Sequence, residues 1–545
     1  MALEEQQSLY VSGILAAVGF SHREVDIPRC YWKYQDFVDN LFRRYRVELH
    51  EFIIAGSTSE GMVGGIYYNG ERGDMDRMAI VTSVKVFNER EYFVTQENAF
   101  PQYLPQILVK EIPDKDYPGC ARLAIERVES IYLPFLPEKD GLYCLPNTFI
   151  TQPIFQFSSP VPDSDPSNIK LRVKSSSTHG PSVSVNFCTE KDFFNLHELS
   201  TYSDVDIVQC IKCLRWPYEA SNFLTRPRPG LWPGKETVRN LVESTPVFLA
   251  PVGHKSSPNM DLQWRYSFNI AEKKLIEDFN ETQIQCYALL KIFLKDSLKL
   301  VSPNILSSYC MKTTMFWCSE REGTAKIIPG KLLHCFVQCL KLIQHWLAGH
   351  RLPHYFIENR NIFPSDMDPV EVKGLMQALD KAILEPFSVL KGCKSFQRAL
   401  LVSAGNLLLF PKLSAHSYLC AWINMRCLHL SNIYWSYADR CLWLPFEERN
   451  PSECIRRFKH MVKDTKNLDY GQPLHRILKS YLGFLCFANH DCLRASQEKI
   501  SMDEIETLLI EGKDGDLVLC PLKLATFYLR QNNVSNCTQR CGRCY

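Results

Sequence analysis

Long apolar runs are missing from this sequence, and their absence excludes a protein with helical membrane spans. No uninterrupted apolar stretch reaches the roughly 20 residues that a transmembrane helix needs. Residues 1–20 also lack a basic segment and carry Glu4 and Glu5 early, which predicts no signal peptide. We therefore expect no membrane association and an intracellular protein in the cytoplasm, with the nucleus left open.

An excess of charge of one sign, an internal repeat and a low-complexity tract are also missing. The formal net charge is only +2, so a nucleic-acid partner would have to be held by a local basic patch. Hydrophobic residues make up 46% and charged residues 22%, which is ordinary for a globular protein. A chain of 545 residues has room for several domains with large cores.

Cysteine is plentiful, but its arrangement does not indicate a disulfide framework. The 22 cysteines are scattered, and in an intracellular protein they are expected to be reduced thiols. Cys537, Cys541 and Cys544 lie close together at the end of the sequence, without a fourth ligand beside them. A zinc site there is the less favoured interpretation, because structural zinc sites have four ligands.

The pattern of apolar residues changes from strands to helices near residue 260. Strands are predicted at residues 51–55, 78–86, 122–128, 182–187 and 204–208, and a loop at 158–168. Helices are predicted at residues 37–47, 270–300, 331–347, 368–390, 395–409 and 414–428, with Asp368 and Pro369 as a helix start. This order predicts an α/β (α+β) protein with a strand-rich first half.

A Gly-Ser turn followed by closely spaced carboxylates is the strongest chemical signal. Gly56-Ser57 follows a predicted strand, and Asp74 and Asp76 precede the apolar run Ala79–Val81. Two residues apart on a strand, both aspartates would lie on one face, close enough to share metal ions. Glycine lets the backbone approach a phosphate, and the serine hydroxyl can bond its oxygens.

Two-metal phosphoryl transfer needs a third acidic group, and Asp206 is the best candidate. It lies in the alternating segment Asp204–Val208, where Asp204 and Asp206 would share a strand face. Taken alone, each of these features is more often structural, since Gly-Ser turns are common and paired aspartates often end a solvated strand. Their order and spacing alone leave catalytic and structural interpretations about equally favoured.

Further segments, in order along the chain, carry a resemblance to the Mab-21 family, which includes the cGAS-like receptors. Residues 35–365 resemble this family through Gly56-Ser57, Asp74-Met75-Asp76 and five later segments. These are Cys213–Pro217 (CLRWP), Arg226–Pro233 (RPRPGLWP), Trp264–Phe268 (WRYSF) with Ala271-Glu272, Ser307–Thr313 (SSYCMKT), and Leu352–Phe356 (LPHYF) with Asn361–Phe363 (NIF).

The resemblance implies a bilobed nucleotidyltransferase fold, in which a mixed, twisted sheet carries the acids and a helical lobe closes the cleft. The implied domains are a nucleotidyltransferase lobe with an N-terminal helix (1–255), a helical Mab-21 lobe (256–370) and a further helical region of unknown role (371–545). The implied activity joins ATP and GTP into a cyclic dinucleotide with release of pyrophosphate. A nucleic-acid ligand, such as double-stranded RNA, would activate it in innate immune signalling.

The resemblance also implies roles for individual residues. Asp74, Asp76 and Asp206 match the triad that holds Mg²⁺ or Mn²⁺, and Gly56 and Ser57 match the turn that grips the triphosphate. Arg265 and Ser267 match contacts to the acceptor base and phosphates, Lys291 and Ser308 match triphosphate contacts, and Tyr309 matches a base-stacking aromatic.

For some of these residues a structural interpretation remains open. A lysine on a helix, like Lys291, is usually solvated, and Tyr309 could be a core residue. Trp264 and Phe268 are expected in the core, and Pro353, Tyr355 and Phe356 are expected to form a turn and a packing anchor.

The sequence departs from the family in three places. Ser57 and Asp74 are 17 residues apart, a longer interval than the family leads us to expect, and the extra piece 64–73 is glycine-rich. Between Phe268 and Lys291 there is one cysteine, Cys286, and no histidine, so we expect no structural zinc thumb and doubt that double-stranded DNA is sensed. About 180 residues also follow the region of resemblance.

Two basic clusters are candidate ligand surfaces, although a charge run is usually a solvated face. They comprise Arg43, Arg44 and Arg46, and then Arg456, Arg457, Lys459, His460, Lys463 and Lys466. Such clusters could bind RNA through its phosphates and shape.

Two further functions remain open beside the dinucleotide synthase. One is a catalytically silent Mab-21 protein that binds nucleotides or acts as a scaffold in development. The other is an enzyme that adds nucleotides to RNA 3′ ends, which would share the carboxylate triad.

Overall fold

The structure is a computed structural model of the chain. It describes residues 3–26, 29, 32–33, 36, 50–62, 75–81, 84–86, 107–127, 136–151, 171–179, 182–189, 204–404, 459, 462–463, 475–476, 479–480, 482–483, 486–487, 500–512, 524, 527–528 and 531. The chain divides into two compact units, Met1–Leu409 and Phe410–Tyr545.

The first unit contains twelve described strands. They are β1 (His50–Ala55), β2 (Met75–Val81), β3 (Val84–Val86), β4 (Ile107–Pro113), β5 (Cys120–Arg127), β6 (Glu138–Lys139), β7 (Leu142–Tyr143), β8 (Leu171–His179), β9 (Ser182–Thr189), β10 (Asp204–Lys212), β11 (Phe248–Ala250) and β12 (Gln263–Ser267).

The described helices flank and follow these strands. They are α1 (Leu3–Leu15), the single turn α2 (Gly56–Ser59), α3 (Thr148–Thr151), α4 (Ser221–Thr225), α5 (Lys235–Ser244), α6 (Asn269–Glu277), α7 (Glu281–Phe293), α8 (Lys299–Val301), α9 (Ser308–Glu322), α10 (Leu332–Ala348), α11 (Pro369–Leu384), α12 (Pro386–Gly392), α13 (Lys394–Ser403) and, in the second unit, α14 (Met502–Gly512).

Ten of the strands form one mixed sheet in the order β1-β2-β10-β11-β12-β5-β4-β3, from which β9 and β8 branch at β10. The long strand β10 makes this branching possible. Its first part pairs with β2 in parallel and with β9 antiparallel, and its last two residues pair with β11. β10 therefore joins β1 and β2 to β11 and β12 within one sheet.

The helices α7, α9 and α10 form the core of the helical region. α7 is buried along almost its whole length, which explains why its apolar residues do not keep to one stripe. α10 shows the opposite pattern, with one apolar face packed inward and polar residues outward. The N-terminal helix α1 also packs here, where Ser12 Oγ donates to Gln285 Oε1 over 2.7 Å.

Most predicted elements are confirmed where the structure describes them. The strands predicted at 51–55, 122–128, 182–187 and 204–208 correspond to β1, β5, β9 and β10, and the helix at 331–347 corresponds to α10. Trp264, Phe268, Tyr355 and Phe356 are buried, as expected of packing residues. The fold is the predicted α/β class, with a mixed sheet and a helical C-terminal region.

Two predicted helices were wrong in extent because local breaks divide them. Of the strand predicted at 78–86, β2 reaches Val81 and β3 begins at Val84, and residues 82–83 lie outside the described residues. The helix predicted at 270–300 ends at Glu277 and restarts at Glu281, because Asn280 forms a capping box with Gln283. The helix predicted at 368–390 begins as expected, with Asp368 accepting from Val370 N–H, but Pro386 starts a new helix.

Several predictions lie outside the described residues. They concern the helices at 37–47 and 414–428, the loop at 158–168, the glycine-rich piece 64–73, the Arg43–Arg46 cluster and the terminal cysteines. Of the second basic cluster, only Lys459 and Lys463 are described.

The second unit has a small apolar cluster of its own. Leu482, Cys486, Ile505, Leu509, Leu524, Phe527 and Tyr528 are all buried in it, and α14 contributes two of them. Across the ranges the structure describes, every helix falls short of the length and apolar character that a bilayer span requires.

Candidate active site

The turn after β1 brings the backbone of Gly56 against a carboxylate. Ala55 is extended, and Gly56 then adopts a φ of +65° and opens the single helical turn α2. A Cβ atom at Gly56 would lie only 1.9 Å from Asp76 Oδ2. Glycine is therefore required here both by the positive φ and by the close approach of Asp76.

Asp76 and Asp206 lie side by side on neighbouring strands. In the parallel pairing of β2 with β10, Asp206 is opposite Asp76, and Ala55 of β1 is opposite Asp76 on the other side. Paired residues on adjacent strands project to the same face of a sheet, and the strands are about 4.8 Å apart. Both aspartates are half-buried. Two carboxylates therefore point to one face, next to the Gly56 turn.

The donor set fits a divalent cation. Carboxylate oxygens are the ligands that Mg²⁺ and Mn²⁺ prefer, and two half-buried carboxylates side by side favour a cation between them. Asp74 lies just outside the described residues, one position before β2 begins. That Asp74 shares a strand face with Asp76 therefore stays a prediction from the sequence.

Lys291 reaches the same turn from the helical side. It lies on α7, is half-buried, and its Nζ donates to Ser57 Oγ over 2.8 Å. Burial lowers the pKa of Lys291 to about 8; the carboxylates of Glu60 and Asp76 oppose this effect, and the charge of Lys312 adds to it. The structure thus brings Gly56, Ser57 and Lys291 together with the aspartates, as a triphosphate-binding corner would require.

Arg265 and Ser267 lie further along the sheet on β12. Arg265 is opposite Ala250 of β11 and Cys120 of β5, and Ser267 is opposite Phe248. Burial lowers the pKa of Arg265 to about 10, and the nearby charge of Arg360 adds to this. Even so, the guanidinium remains charged at neutral pH, so Arg265 keeps the donors that could bind a base or a phosphate.

Ser308 and Tyr309 are the first two residues of α9. Ser308 is exposed. Tyr309 is half-buried, and its hydroxyl has two hydrogen-bond partners. The hydroxyl donates to Glu272 Oε1 over 2.9 Å and lies 2.8 Å from His354 Nε2. A tyrosine held by its hydroxyl can still present a ring face, so this arrangement is compatible with both the stacking and the packing interpretations.

The direction of these hydrogen bonds follows from His354. Burial lowers its pKa well below the usual range, and three nearby arginines add to this, so the ring is neutral at neutral pH. Its Nδ1 accepts from the N–H groups of Phe356 (3.2 Å) and Ile357 (3.0 Å). The proton must then sit on Nε2, which donates to the Tyr309 oxygen.

Lys312 extends this chain of hydrogen bonds to the Gly56 turn. Its Nζ donates to Glu272 Oε2 over 3.2 Å and to Glu60 Oε1 over 2.5 Å. All three side chains are buried. Burial lowers the pKa of Lys312, but the carboxylates of Glu60 and Glu272 outweigh it and hold the pKa well above the usual range.

Sequence reasoning assigned no role to Glu60, Glu272, Lys312, His354 and Arg360. Four of them lie in or beside motifs already quoted, and Glu60 follows Gly56 by four positions. For Lys312 the sequence did contain a usable signal. This lysine lies among small and apolar residues of α9, so its part of the helix has no polar face that would be exposed to solvent. Their partners, however, are more than 35 residues away in sequence and could not be identified from spacing.

A group of thiols lies deep in the helical core, apart from this site. The Sγ atoms of Cys286, Cys335 and Cys339 are within 4.8 Å of one another, and all three residues are buried. Cysteine is among the most frequently buried residues and packs as a small apolar side chain. We assign these thiols to core packing.

Comparison with known protein families identifies the class of two domains in this chain. The Mab-21 protein nucleotidyltransferase domain matches residues 150–278, and the Mab-21 protein HhH/H2TH-like domain matches residues 282–381. The chain therefore contains a Mab-21 nucleotidyltransferase domain followed by a Mab-21 C-terminal domain. The second match includes α7, α9 and α10 and extends into α11.

Among curated proteins, the chain is similar to cyclic GMP-AMP synthase from Mus musculus. The two are 26% identical over 180 residues, which covers 30% of this chain and 34% of that protein. The chain thus matches about a third of the length of this relative, and the similarity is distant.

Proposed function

We propose that this protein is a metal-dependent nucleotidyltransferase that joins two ribonucleoside triphosphates, ATP and GTP, into a cyclic dinucleotide. The proposal includes activation by a nucleic-acid ligand, with double-stranded RNA as the first candidate, and a role in innate immune signalling. The nucleotidyltransferase domain and the partial similarity to cyclic GMP-AMP synthase support this proposal.

One observation carries the proposal. Asp76 and Asp206 are in register on neighbouring strands, and the Asp76 carboxylate touches the Gly56 turn whose Ser57 is bonded to Lys291. Carboxylates that hold a cation and a turn that holds phosphates are what transfer of a nucleotidyl group requires at one place.

The chemistry can be assigned to the side chains of this chain. The reaction takes two transfers. In each, a sugar hydroxyl loses its proton to solvent and attacks the α-phosphorus of a triphosphate, an O–P bond forms, the α–β phosphoanhydride bond breaks, and one pyrophosphate leaves. Asp74, Asp76 and Asp206 would hold divalent cations, which when bound supply positive charge to the attacking and leaving oxygens. Ser57 accepts from Lys291, so its own O–H remains available to donate to a phosphate oxygen.

The charged and aromatic residues would bind and orient the nucleotides. The Lys291 ammonium would neutralise the triphosphate, and Arg265 would make bidentate bonds to a purine edge or a phosphate. The backbone of Gly56 allows the phosphates to approach closely because no side chain stands there. Tyr309, fixed by its hydroxyl, would present its ring to a base.

The test is turnover by the purified full chain. The protein is incubated with ATP, GTP, CTP and UTP, singly and in pairs, with Mg²⁺ or Mn²⁺ and with double-stranded RNA, double-stranded DNA or no ligand. Pyrophosphate release is measured and products are identified by mass. Asp206→Ala is the inactive control, and Asp140→Ala removes an exposed carboxylate, which pairs with Arg122 over 2.6 Å.

The outcomes separate the candidate functions. A cyclic dinucleotide from the wild type and Asp140→Ala, but not from Asp206→Ala, supports the proposal. Nucleotide binding without pyrophosphate release under every condition indicates a silent binding or scaffold protein. Growth of a labelled RNA in the same assay indicates addition of nucleotides to RNA 3′ ends.

A further inference from the structure

A buried chain of hydrogen bonds connects the Gly56 turn to Tyr309. From His354 Nε2 it runs through the Tyr309 hydroxyl to Glu272, and from Glu272 through Lys312 to Glu60. Glu60 closes the turn, because its N–H donates to the Gly56 carbonyl over 3.2 Å. The chain therefore joins the predicted triphosphate-binding turn to the predicted base-binding residue.

Lys312 is the central link because it contacts the Tyr309 ring on one side and Glu60, at the Gly56 turn, on the other. On α9 it follows Tyr309 by three positions, which places the two side chains on one face of the helix. Its Nζ lies 5.9 Å from the centre of the Tyr309 ring, while it also bonds to the carboxylate of Glu60. A lysine is almost never this buried without partners, and here its charge is committed to two carboxylates.

Glu60 is itself held firmly in place. Its carbonyl accepts from Arg29 Nε over 2.8 Å, and Arg29 is also buried. Its Oε1 is taken by Lys312, while Oε2 is buried and, within the part of the chain that the structure describes, accepts no hydrogen bond. If Lys312 were displaced, Glu60 would lose its bond to the ammonium group. The turn would then lose this support at its C-terminal end, three positions from Ser57.

We propose that Lys312 is a positioning residue that sets the separation between the Gly56-Ser57 turn and Tyr309, and through it the fit of a nucleoside triphosphate. This proposal rests on the proposed nucleotide-binding function of the same site. Lys312 touches no substrate; it acts by holding Glu60 and Glu272 together, so its loss should weaken triphosphate binding more than it weakens the fold.

The experiment compares two buried cations on the full chain. Lys312→Met removes the charge at the centre of the chain of hydrogen bonds. Arg226→Met removes a cation whose side chain is similarly buried, 8% exposed against 10% for Lys312. Arg226 pairs at 2.9 Å with Glu320, which lies eight positions after Lys312 on α9. Binding of the α,β-methylene analogue of ATP with Mg²⁺ is measured by calorimetry, because this analogue cannot be cleaved at the α–β position. Thermal unfolding is recorded for each protein.

We expect both variants to lower the Tm to a similar extent, while Lys312→Met weakens binding about tenfold and Arg226→Met changes it less than about twofold. In a double-mutant cycle with Tyr309→Phe, the two losses should be markedly less than additive, since both break the same chain. Glu60→Gln keeps the size of the side chain and an acceptor oxygen, so it provides the same comparison if Lys312→Met does not fold.

Equal binding losses in Lys312→Met and Arg226→Met, or full additivity with Tyr309→Phe, would overturn the proposal. Wild-type protein that binds the analogue but releases no pyrophosphate under any of the nucleotide, metal and nucleic-acid conditions given above would refute the proposed activity while leaving this comparison valid. Failure of the wild type to bind the analogue would refute both.

Discussion

Replacing Gly56 by alanine should separate the geometry of the carboxylate site from general stability. Gly56 has a φ of +65°, and an added Cβ would lie 1.9 Å from Asp76 Oδ2, where contacts under 3.0 Å are essentially never seen. The Asp76 carboxylate or the turn must therefore move by about an ångström. The same substitution also forces alanine into the left-handed region.

The backbone strain at residue 56 and the displacement of the Asp76 carboxylate have different sizes, and they are measured in different ways. The left-handed conformation costs roughly 1–2 kcal/mol of folding free energy. A catalytic group displaced by about 1 Å can lower the rate about 100-fold. Gly56→Ala should therefore reduce kcat/KM for pyrophosphate release about 100-fold, while the Tm falls by only a few degrees.

Two other glycines provide matched controls. Gly141 also has a positive φ, of 74°, but nothing lies within 4 Å of its Cβ position, so Gly141→Ala carries the strain without the clash. Gly13 lies within α1, has open space and no positive φ. Gly141→Ala should lower the Tm and keep the rate, and Gly13→Ala should raise stability by about 1 kcal/mol.

The assay is the initial rate of pyrophosphate release together with thermal unfolding, on all four proteins side by side. A rate for Gly56→Ala within about threefold of the wild type would contradict a catalytic role for the position of Asp76 beside the turn. That role is equally contradicted if Gly141→Ala loses as much activity as Gly56→Ala, since strain alone would then explain the loss.

Three further predictions follow from the same structure. Because the pKa of Lys291 is lowered to about 8, its charge is lost as the pH rises through that value, so kcat/KM should decline above about pH 8. In Lys291→Arg this decline should move to higher pH, and an unchanged profile would exclude Lys291 as the titrating group. Removal of divalent cations with EDTA should abolish pyrophosphate release, and Mg²⁺ or Mn²⁺ in excess should restore it; activity that persists in EDTA would contradict the assigned role of Asp76 and Asp206. Asn280→Ala removes the cap of α7 and should cost about 1 kcal/mol, seen as a small fall in Tm with nucleotide affinity unchanged; a large loss of affinity would mean that the cap also positions Lys291.

Periodicity in the sequence was sufficient to predict the main strands and α10, because each of these has a distinct apolar face. It failed where a local signal stops a continuous apolar pattern. The pattern of residues 270–300 runs through Asn280, yet the side chain of Asn280 caps a new helix there. Pro386 acts similarly, since proline starts α12 rather than continuing α11.

The candidate site, too, could be predicted from the sequence only in part. The spacing of Asp74 and Asp76 and the alternation around Asp206 indicated strands with acids on one face, and Asp76 and Asp206 are in register in the sheet. What the sequence could not provide is the contact of Lys312 with Glu60, because these residues are 252 positions apart and meet only after the strands and helices have packed. Charged residues buried by tertiary contacts leave little local pattern to recognise.

The two lysines of the site show why the motif alone does not assign their roles. Both lie on helices, both are close to Glu60, and either could have been the cation that binds a triphosphate. Lys312 is bonded to two carboxylates, so a phosphate would have to compete with partners that are already charged and buried. Lys291 donates to the neutral hydroxyl of Ser57, and the Glu60 carboxylate acts against the fall in its pKa that burial causes. The same glutamate therefore fixes one lysine in the structure and helps the other stay charged, which leaves Lys291 as the cation suited to a substrate.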